Sequence, residues 1–315
     1  MDYWGLSYNG ILIYMRVIKK RGFYCYSIKY RISARRVIEN DNYVGLFNTN
    51  NYEELEEKVT ALLQDKSISL PNLENCKLSR IDFCINAYLD NQEQVKAYIR
   101  TAKRAKLPGR LDEYMVYDKK SKRTKPTKDD FTAYSSEYVA ISIYNKYAEM
   151  KKEKSFPESE VEKAKNIVRI EIRCMKEKVN AIERKYKIRT IERFMERADE
   201  IGNKLYTYYL PKMFGTGEIC TLKQVKENID MGELRSNTIK LMKEFIEYSN
   251  ESRSVAKAYD FYKQALGKSG TKRLLYLFDL IDTNYVTITN KDYKIFGNQY
   301  IPTPMDLYND FKDEE

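Results

Sequence analysis

The chain has no histidine in 315 residues. That absence excludes His-dependent nucleophile triads, HExxH zinc sites and every imidazole-ligated metal. Any chemistry here must run on carboxylates, Tyr, Lys, Arg, Cys or Ser. The cysteines Cys25, Cys76, Cys84, Cys174 and Cys220 form no CxxC pair and no tight cluster. Such scattered thiols argue against a disulfide frame or a zinc site and for a reducing compartment. No hydrophobic run approaches the roughly 18 residues that span a bilayer. The opening MDYWGLSYNG lacks the basic-then-apolar layout of a signal peptide. These absences lead to the expectation of a cytoplasmic protein with no membrane partner. Internal repeats and low-complexity tracts are missing too, apart from short charge runs.

What is present is positive charge and tyrosine. Lys+Arg 56 against Asp+Glu 46 gives a net charge of +10 and a pI near 9.0. That balance favours a polyanionic partner, nucleic acid first and an anionic membrane second. The 28 tyrosines have two readings: codon bias in a low-GC genome, which would also yield the frequent Lys, Asn and Ile, or rings kept for function. The length suits one large domain or two smaller ones, either able to bury a core.

The first half reads as strands with inserted helices. ILIYMRV (11–17) and GFYCYSIKYRI (22–32) alternate about IKKR and suggest a hairpin. NYEELEEKVTALLQD (51–65) reads as an amphipathic helix capped by Asn51, with acidic residues crowding its first turns. LSRIDFCINAYL (78–89) is the clearest strand, followed by a helix over 91–105. YVAISIYN (138–145) and IVRIEIRCM (167–175) are further strands. From about Val179 helical periodicity takes over. The expected fold class is α+β, an antiparallel sheet with helices on one face followed by a mainly helical C-terminal domain. The expected division is 1–185 and 186–315.

Three of these strands share an amphipathic logic, since alternate side chains fall on opposite faces. Ile81, Phe83 and Ile85 oppose Arg80, Asp82, Cys84 and Asn86. Val139, Ile141 and Ile143 oppose Ser142 and Tyr144, and Val168, Ile170 and Ile172 oppose Arg169, Glu171 and Arg173. Joined in one antiparallel sheet, they would bury one face under helices and leave the other open. Any half-buried sheet shows water a mixture of charges. Taken together, though, these residues describe a phosphodiester-cleaving site. Asp82 and Glu171 suit Mg²⁺ or Mn²⁺, and the expectation is that they lie close enough to share one ion. A tyrosine hydroxyl such as that of Tyr144 can attack the phosphate and form an ester with one DNA end. Lys146, two residues on, is either a group that lowers the phenol pKa or binds phosphate, or a surface lysine.

Residues 96–128 carry twelve Lys/Arg against three Asp/Glu, and Pro108, Gly109 and Pro126 make much of the segment loop. With Tyr98, Tyr114 and Tyr117 interleaved, it suits phosphate contacts and base stacking on single strands. A solvated charged insertion is the plainer alternative.

SRIDFCINAYLD, ISIYNKYAEM and VRIEIRCMKEKVNAI, in that order, resemble the rolling-circle replication initiators of plasmids and phages. The closest likenesses are replication initiation factors of low-GC Gram-positive plasmids and phage gene II/X proteins, over roughly residues 10–185. The resemblance implies a Rep-nuclease-like fold and a Mg- or Mn-dependent endonuclease that nicks one strand at an origin. It also implies transient attachment through a tyrosine and later rejoining. By position, Tyr144 falls on the nucleophile, Asp82 and Glu171 on metal-binding acids, and Lys146 on the lysine after the tyrosine. The His–hydrophobic–His metal motif of many such enzymes is absent, so Asn86 becomes a candidate third ligand, or the enzyme is not metal-dependent in that way. Tyr147, Tyr138 and Tyr117 are rival nucleophiles. Arg80, Arg169, Arg173, Lys119, Lys120, Lys122 and Arg123 are the expected DNA contacts. The helical half fits a reader of the origin duplex, with residues 221–249 the place for a recognition helix, or an oligomerisation platform. Origin duplex and single strand, a host helicase and a second copy of the chain are the candidate partners. A non-catalytic origin-binding protein and a single-strand annealing accessory are the competing functions.

Overall fold

Apolar residues at alternate positions over 81–88, 139–145 and 167–174 make these segments strands, and they pair side by side in one antiparallel sheet. A computed structural model describes residues 3–20, 23–39, 43–65, 71–108, 111–113, 115–118, 123–125, 127, 129–152, 156–297 and 300–314. In chain order its strands are β1 Tyr3–Tyr8, β2 Ile11–Lys20, β3 Phe23–Ile32, β4 Ile81–Tyr88 and β5 Asp112–Glu113. They continue as β6 Val116–Asp118, β7 Arg123–Lys125, β8 Phe131–Ser135, β9 Val139–Asn145 and β10 Ile167–Cys174. By packing, the chain forms two units, one of Met1–Leu78, Pro157–Lys163 and Ala181–Glu200, the other of Ser79–Phe156, Ala164–Asn180 and Ile201–Glu315. Each unit is discontinuous along the chain.

In the first unit β1, β2 and β3 form an antiparallel meander. The expected β2–β3 hairpin is present, with Lys20 opposite Phe23. β1 is an addition. It is joined to β2 by Asn9 and Gly10, both at positive φ (39° and 84°), the residue pair that a two-residue hairpin turn favours. Ile11 and Ile13 of β2 are buried with Val37, Tyr52, Leu55, Val59, Leu63 and Leu73. The last five come largely from the helix Tyr52–Asp65, whose Tyr52, Leu55, Val59 and Leu63 recur at helical spacing. Its start differs from expectation. A 3₁₀ turn over Thr49–Asn51 precedes it, and Asn48, not Asn51, accepts a backbone N–H (from Asn50, 2.9 Å).

The second unit holds the five-stranded sheet, in the order β4-β10-β9-β8-β5 with every neighbour antiparallel. Ile85, Ile141, Ile143, Ile170 and Ile172 are fully buried on its apolar face, each burial contributing about 1.5–3 kcal/mol. Two helices cover that face. Gln92–Ala102, capped by Asn91, receives the Tyr134 phenol of β8 on its Ala102 carbonyl at 2.7 Å. From Ala198–Phe214, Tyr206 donates to the Phe83 and Ile170 carbonyls at 2.8 and 3.3 Å. Gly202 of that helix lies so near that a Cβ would stand 3.0 Å from the Phe83 ring.

The remaining C-terminal helices enclose their own core. Leu222–Met231, Ser236–Glu251 and Val255–Leu280 bury Val225, Ile229, Met242, Phe245, Ile246, Leu274 and Phe278 together. Thr221 and Gln224 cap the first of them reciprocally. No helix among the described residues is long and apolar enough to cross a membrane.

Candidate active site on the polar face of the sheet

Strand order decides what meets on the polar face. β10 lies between β4 and β9, so its residues are flanked on both sides. Arg169 stands between Asn86 and Tyr144, Glu171 between Cys84 and Ser142, and Arg173 between Asp82 and Ala140. Register thus brings Tyr144, Asp82, Glu171, Asn86, Arg169 and Arg173 onto one face, with Arg80 at the end of β4.

The face is less open than expected. Arg169, Glu171 and Ser142 are buried, and Asp82, Cys84, Asn86, Tyr144 and Arg173 are half-buried. The reason is that guanidinium groups lie across their acidic and amide neighbours. Arg173 donates through Nε to Asp82 Oδ2 at 3.2 Å and through Nη2 to Glu171 Oε1 at 2.6 Å. Arg80 Nε donates to Asp82 Oδ1 at 2.8 Å, and its Nη2 reaches the other oxygen. Arg169 Nε donates to Asn86 Oδ1 at 2.8 Å.

Tyr144 donates its phenol to Glu171 Oε2 at 3.4 Å. Burial raises its pKa well above the ordinary phenol value, and the charges of Glu171 and Glu149 push the same way, while Arg169 opposes them. Lys146 begins the helix Lys146–Lys152 and is itself buried, with Nζ 2.7 Å from Glu149. Burial, reinforced by Arg169, lowers the Lys146 pKa, and Glu149 partly offsets this. The cation that acts on the Tyr144 phenol is therefore Arg169. Burial also pushes the Cys84 thiol up to about 12, with Glu171 adding to it.

The donors expected for Mg²⁺ or Mn²⁺ are Asp82, Glu171 and Asn86. They do share a face, but each has an oxygen engaged by a guanidinium. Among the described residues no group of three His, Cys, Asp or Glu side chains is suited to hold a metal. So arranged, the donor set does not fit a divalent cation.

The rival tyrosines sit elsewhere. Tyr138 is exposed just before β9, and Tyr147 lies on the helix after it, with Lys151 Nζ 5.3 Å from its ring. Tyr117 belongs to β6 and Arg123 to β7, a small hairpin in the basic segment, and their side chains lie outside the described residues. Lys119, Lys120 and Lys122 lie outside the described residues altogether. Other cations of that segment tie the fold together. Arg100 holds Asp292 (Nε to Oδ1, 3.1 Å) and Asp129, Lys103 holds the Thr127 carbonyl at 2.7 Å, and Arg104 holds Asn250 and Thr287.

Two neighbours of the site escaped sequence reading. Phe131 stands opposite Tyr144 on β8, ring centroids 6.3 Å apart, and β8 itself was not expected. Cys84 was assigned to the polar face but not to the site, although its Sγ lies 3.8 Å from Glu171 Oε2.

No curated protein and no solved structure matches the chain. Residues 12–195 match the phage family described as the N-terminal part of a replication-associated protein. That match covers more than half of the chain and includes every residue of the polar face. The chain belongs to this family of phage rolling-circle replication initiators.

Proposed function

We propose that the protein starts replication by nicking one DNA strand at a plasmid or phage origin, with Tyr144 as nucleophile and transient covalent attachment. The observation that carries this reading is the Tyr144–Glu171 hydrogen bond, in a chain of a replication-associated family. In the proposed step the phenol gives its proton to Glu171 while its oxygen bonds to the scissile phosphorus. The bond from phosphorus to the sugar oxygen breaks, that oxygen takes up a proton, and the DNA end is left esterified to Tyr144. Rejoining runs the same step backwards. Arg169 and Arg173 offset the charge that builds on the phosphate, the part a divalent ion would otherwise take. Arg80, Lys119, Lys120, Lys122 and Arg123 contact phosphates along the strand, and Lys146 does so once Glu149 releases it. A host helicase and a second copy of the chain are partners this reading accommodates.

The burial of Tyr144 and the pairing of both carboxylates favour a second reading, a non-catalytic protein that binds and organises the origin. Supercoiled plasmid carrying the origin separates the two. Incubation, with Mg²⁺ or Mn²⁺ and in parallel with a chelator, should yield nicked circles and a detergent-resistant protein–DNA adduct in both arms. Origin binding with no nick under any divalent ion supports the second reading instead.

A further inference from the structure

Away from the polar face, two helical segments of the second unit, 201–214 and 268–280, present cations and tyrosines at helical spacing. On Ala198–Phe214, Lys204, Tyr208 and Lys212 recur every fourth residue and so share one side. The helix Val255–Leu280 is interrupted at Gly267, where φ is 69°, and beyond it Lys268, Lys272 and Tyr276 repeat that spacing. Lys106 links the two. Its N–H donates to the Met213 carbonyl at 2.8 Å, and its Nζ lies 4.8 Å from the Tyr259 ring. Burial lowers its pKa, and the charges of Lys272 and Lys212 add to that while Asp279 opposes it. Lys212 Nζ lies 3.2 Å from the Tyr208 ring centroid.

The charges are not balanced within the fold. Among the described residues Lys106, Lys212 and Lys272 have no carboxylate at ion-pair distance, and the nearby Asp279 accepts the Thr216 hydroxyl at 2.8 Å. Like charges gathered beside one another repel, unless a polyanion completes the site. Tyr208 and Tyr276 are 53% and 60% exposed. Lys212 lies over one face of the Tyr208 ring, and Tyr209 meets that ring at right angles, 4.9 Å between centroids. A base therefore stacks on Tyr276 directly and on Tyr208 once Lys212 turns to a phosphate. Lysines for phosphates, interleaved with exposed rings for bases, are what an unpaired strand needs. A duplex hides its base faces and leaves the rings without a partner.

We infer that the surface formed by Lys106, Lys212, Lys272, Tyr208 and Tyr276 binds single-stranded DNA without regard to sequence. It supplies a grip on the unpaired strand separate from the polar face, and it does not depend on Tyr144 chemistry.

The test is fluorescence anisotropy of the full chain with a labelled oligothymidylate over a range of salt. Lys212→Gln/Lys272→Gln should weaken binding and flatten the plot of log affinity against log salt by roughly 0.7 of a unit per lost contact. Tyr208→Ala/Tyr276→Ala should weaken it by roughly five- to a hundredfold per ring, with the slope unchanged. Lys212→Arg/Lys272→Arg should bind as the parent does, which rules out misfolding as the cause. Unchanged affinity in either the Gln pair or the Ala pair overturns the inference. So does equal loss of binding to vesicles of anionic lipid with no loss on DNA, which assigns the patch to a membrane. Tyr144→Phe should keep this binding, so a failed nicking experiment and a failed surface experiment remain distinct.

Discussion

Tyr144 of β9 and Glu171 of β10 sit diagonally across a strand pair, and the phenol donates to the carboxylate at 3.4 Å. The same carboxylate accepts from Arg173 at 2.6 Å. Glu171 is thus the only acid bonded to both the candidate nucleophile and the guanidinium of the site, among the described residues. Glu171→Gln keeps the shape and removes the proton acceptor. Nicking should fall by about 10²–10⁴-fold with origin binding retained, read by cleavage and gel shift side by side. Full activity in the Gln variant would remove Glu171 as the base.

The raised Tyr144 pKa sets the pH dependence. Burial and Glu171 favour the neutral phenol, and Arg169 favours the phenolate. With Glu171 taking the proton, nicking should stay level through neutral pH and climb only in the alkaline range, where the phenol itself ionises. Arg169→Gln removes the charge that, among the described residues, pulls the phenol pKa down, so the rising limb should move to higher pH. A profile that stays put, or moves to lower pH, contradicts this assignment of Arg169.

Arg173 bridges the two carboxylates expected to hold a metal. Arg173→Gln leaves Asp82 and Glu171 facing each other without that guanidinium, and adjacent carboxylates are relieved by a hard cation. Mn²⁺ affinity, measured by calorimetry, should rise by about tenfold or more, roughly 1.4 kcal/mol. Equal affinity in parent and variant would show that the pair is not a latent cation site.

Tyr206 joins the helix Ala198–Phe214 to the sheet through two carbonyls, those of Phe83 and Ile170. Tyr206→Phe strips the hydroxyl and leaves the buried Ile170 carbonyl its ladder bond alone. The loss should be about 0.5–1.5 kcal/mol, read as a lower midpoint in urea with an unchanged slope. An unchanged midpoint would mean that these bonds add nothing net.

Much of this was legible from alternation alone. Period-two patterning marked β4, β9 and β10 and the face each residue takes, because the apolar side of each strand is unbroken even where Ala140 and Ile167 interrupt the polar side. β8 escaped because Thr132, a polar residue, fills a fully buried position opposite Ile143, which breaks the pattern. The Asn51 cap failed since Asn48 and Asn50 are equally good local candidates, and a 3₁₀ turn selected between them. The site was legible as a list but not as a set of bonds. Nothing in the order of strands along the chain says that β10 is central, and only that position lets Arg173 reach Asp82 on β4 while bonding its own neighbour Glu171. The pairing of Lys146 with Glu149 was within reach, as residues three apart at a helix start.

The most direct measurement is the covalent adduct itself. Parent protein and Tyr144→Phe are incubated with end-labelled single-stranded origin DNA, and label that migrates with denatured protein is counted. The parent should carry label on a peptide containing Tyr144, and Tyr144→Phe should carry none while still binding the strand. Adduct and nicks at parental yield in Tyr144→Phe would place the chemistry on another tyrosine and contradict the reading built on the polar face.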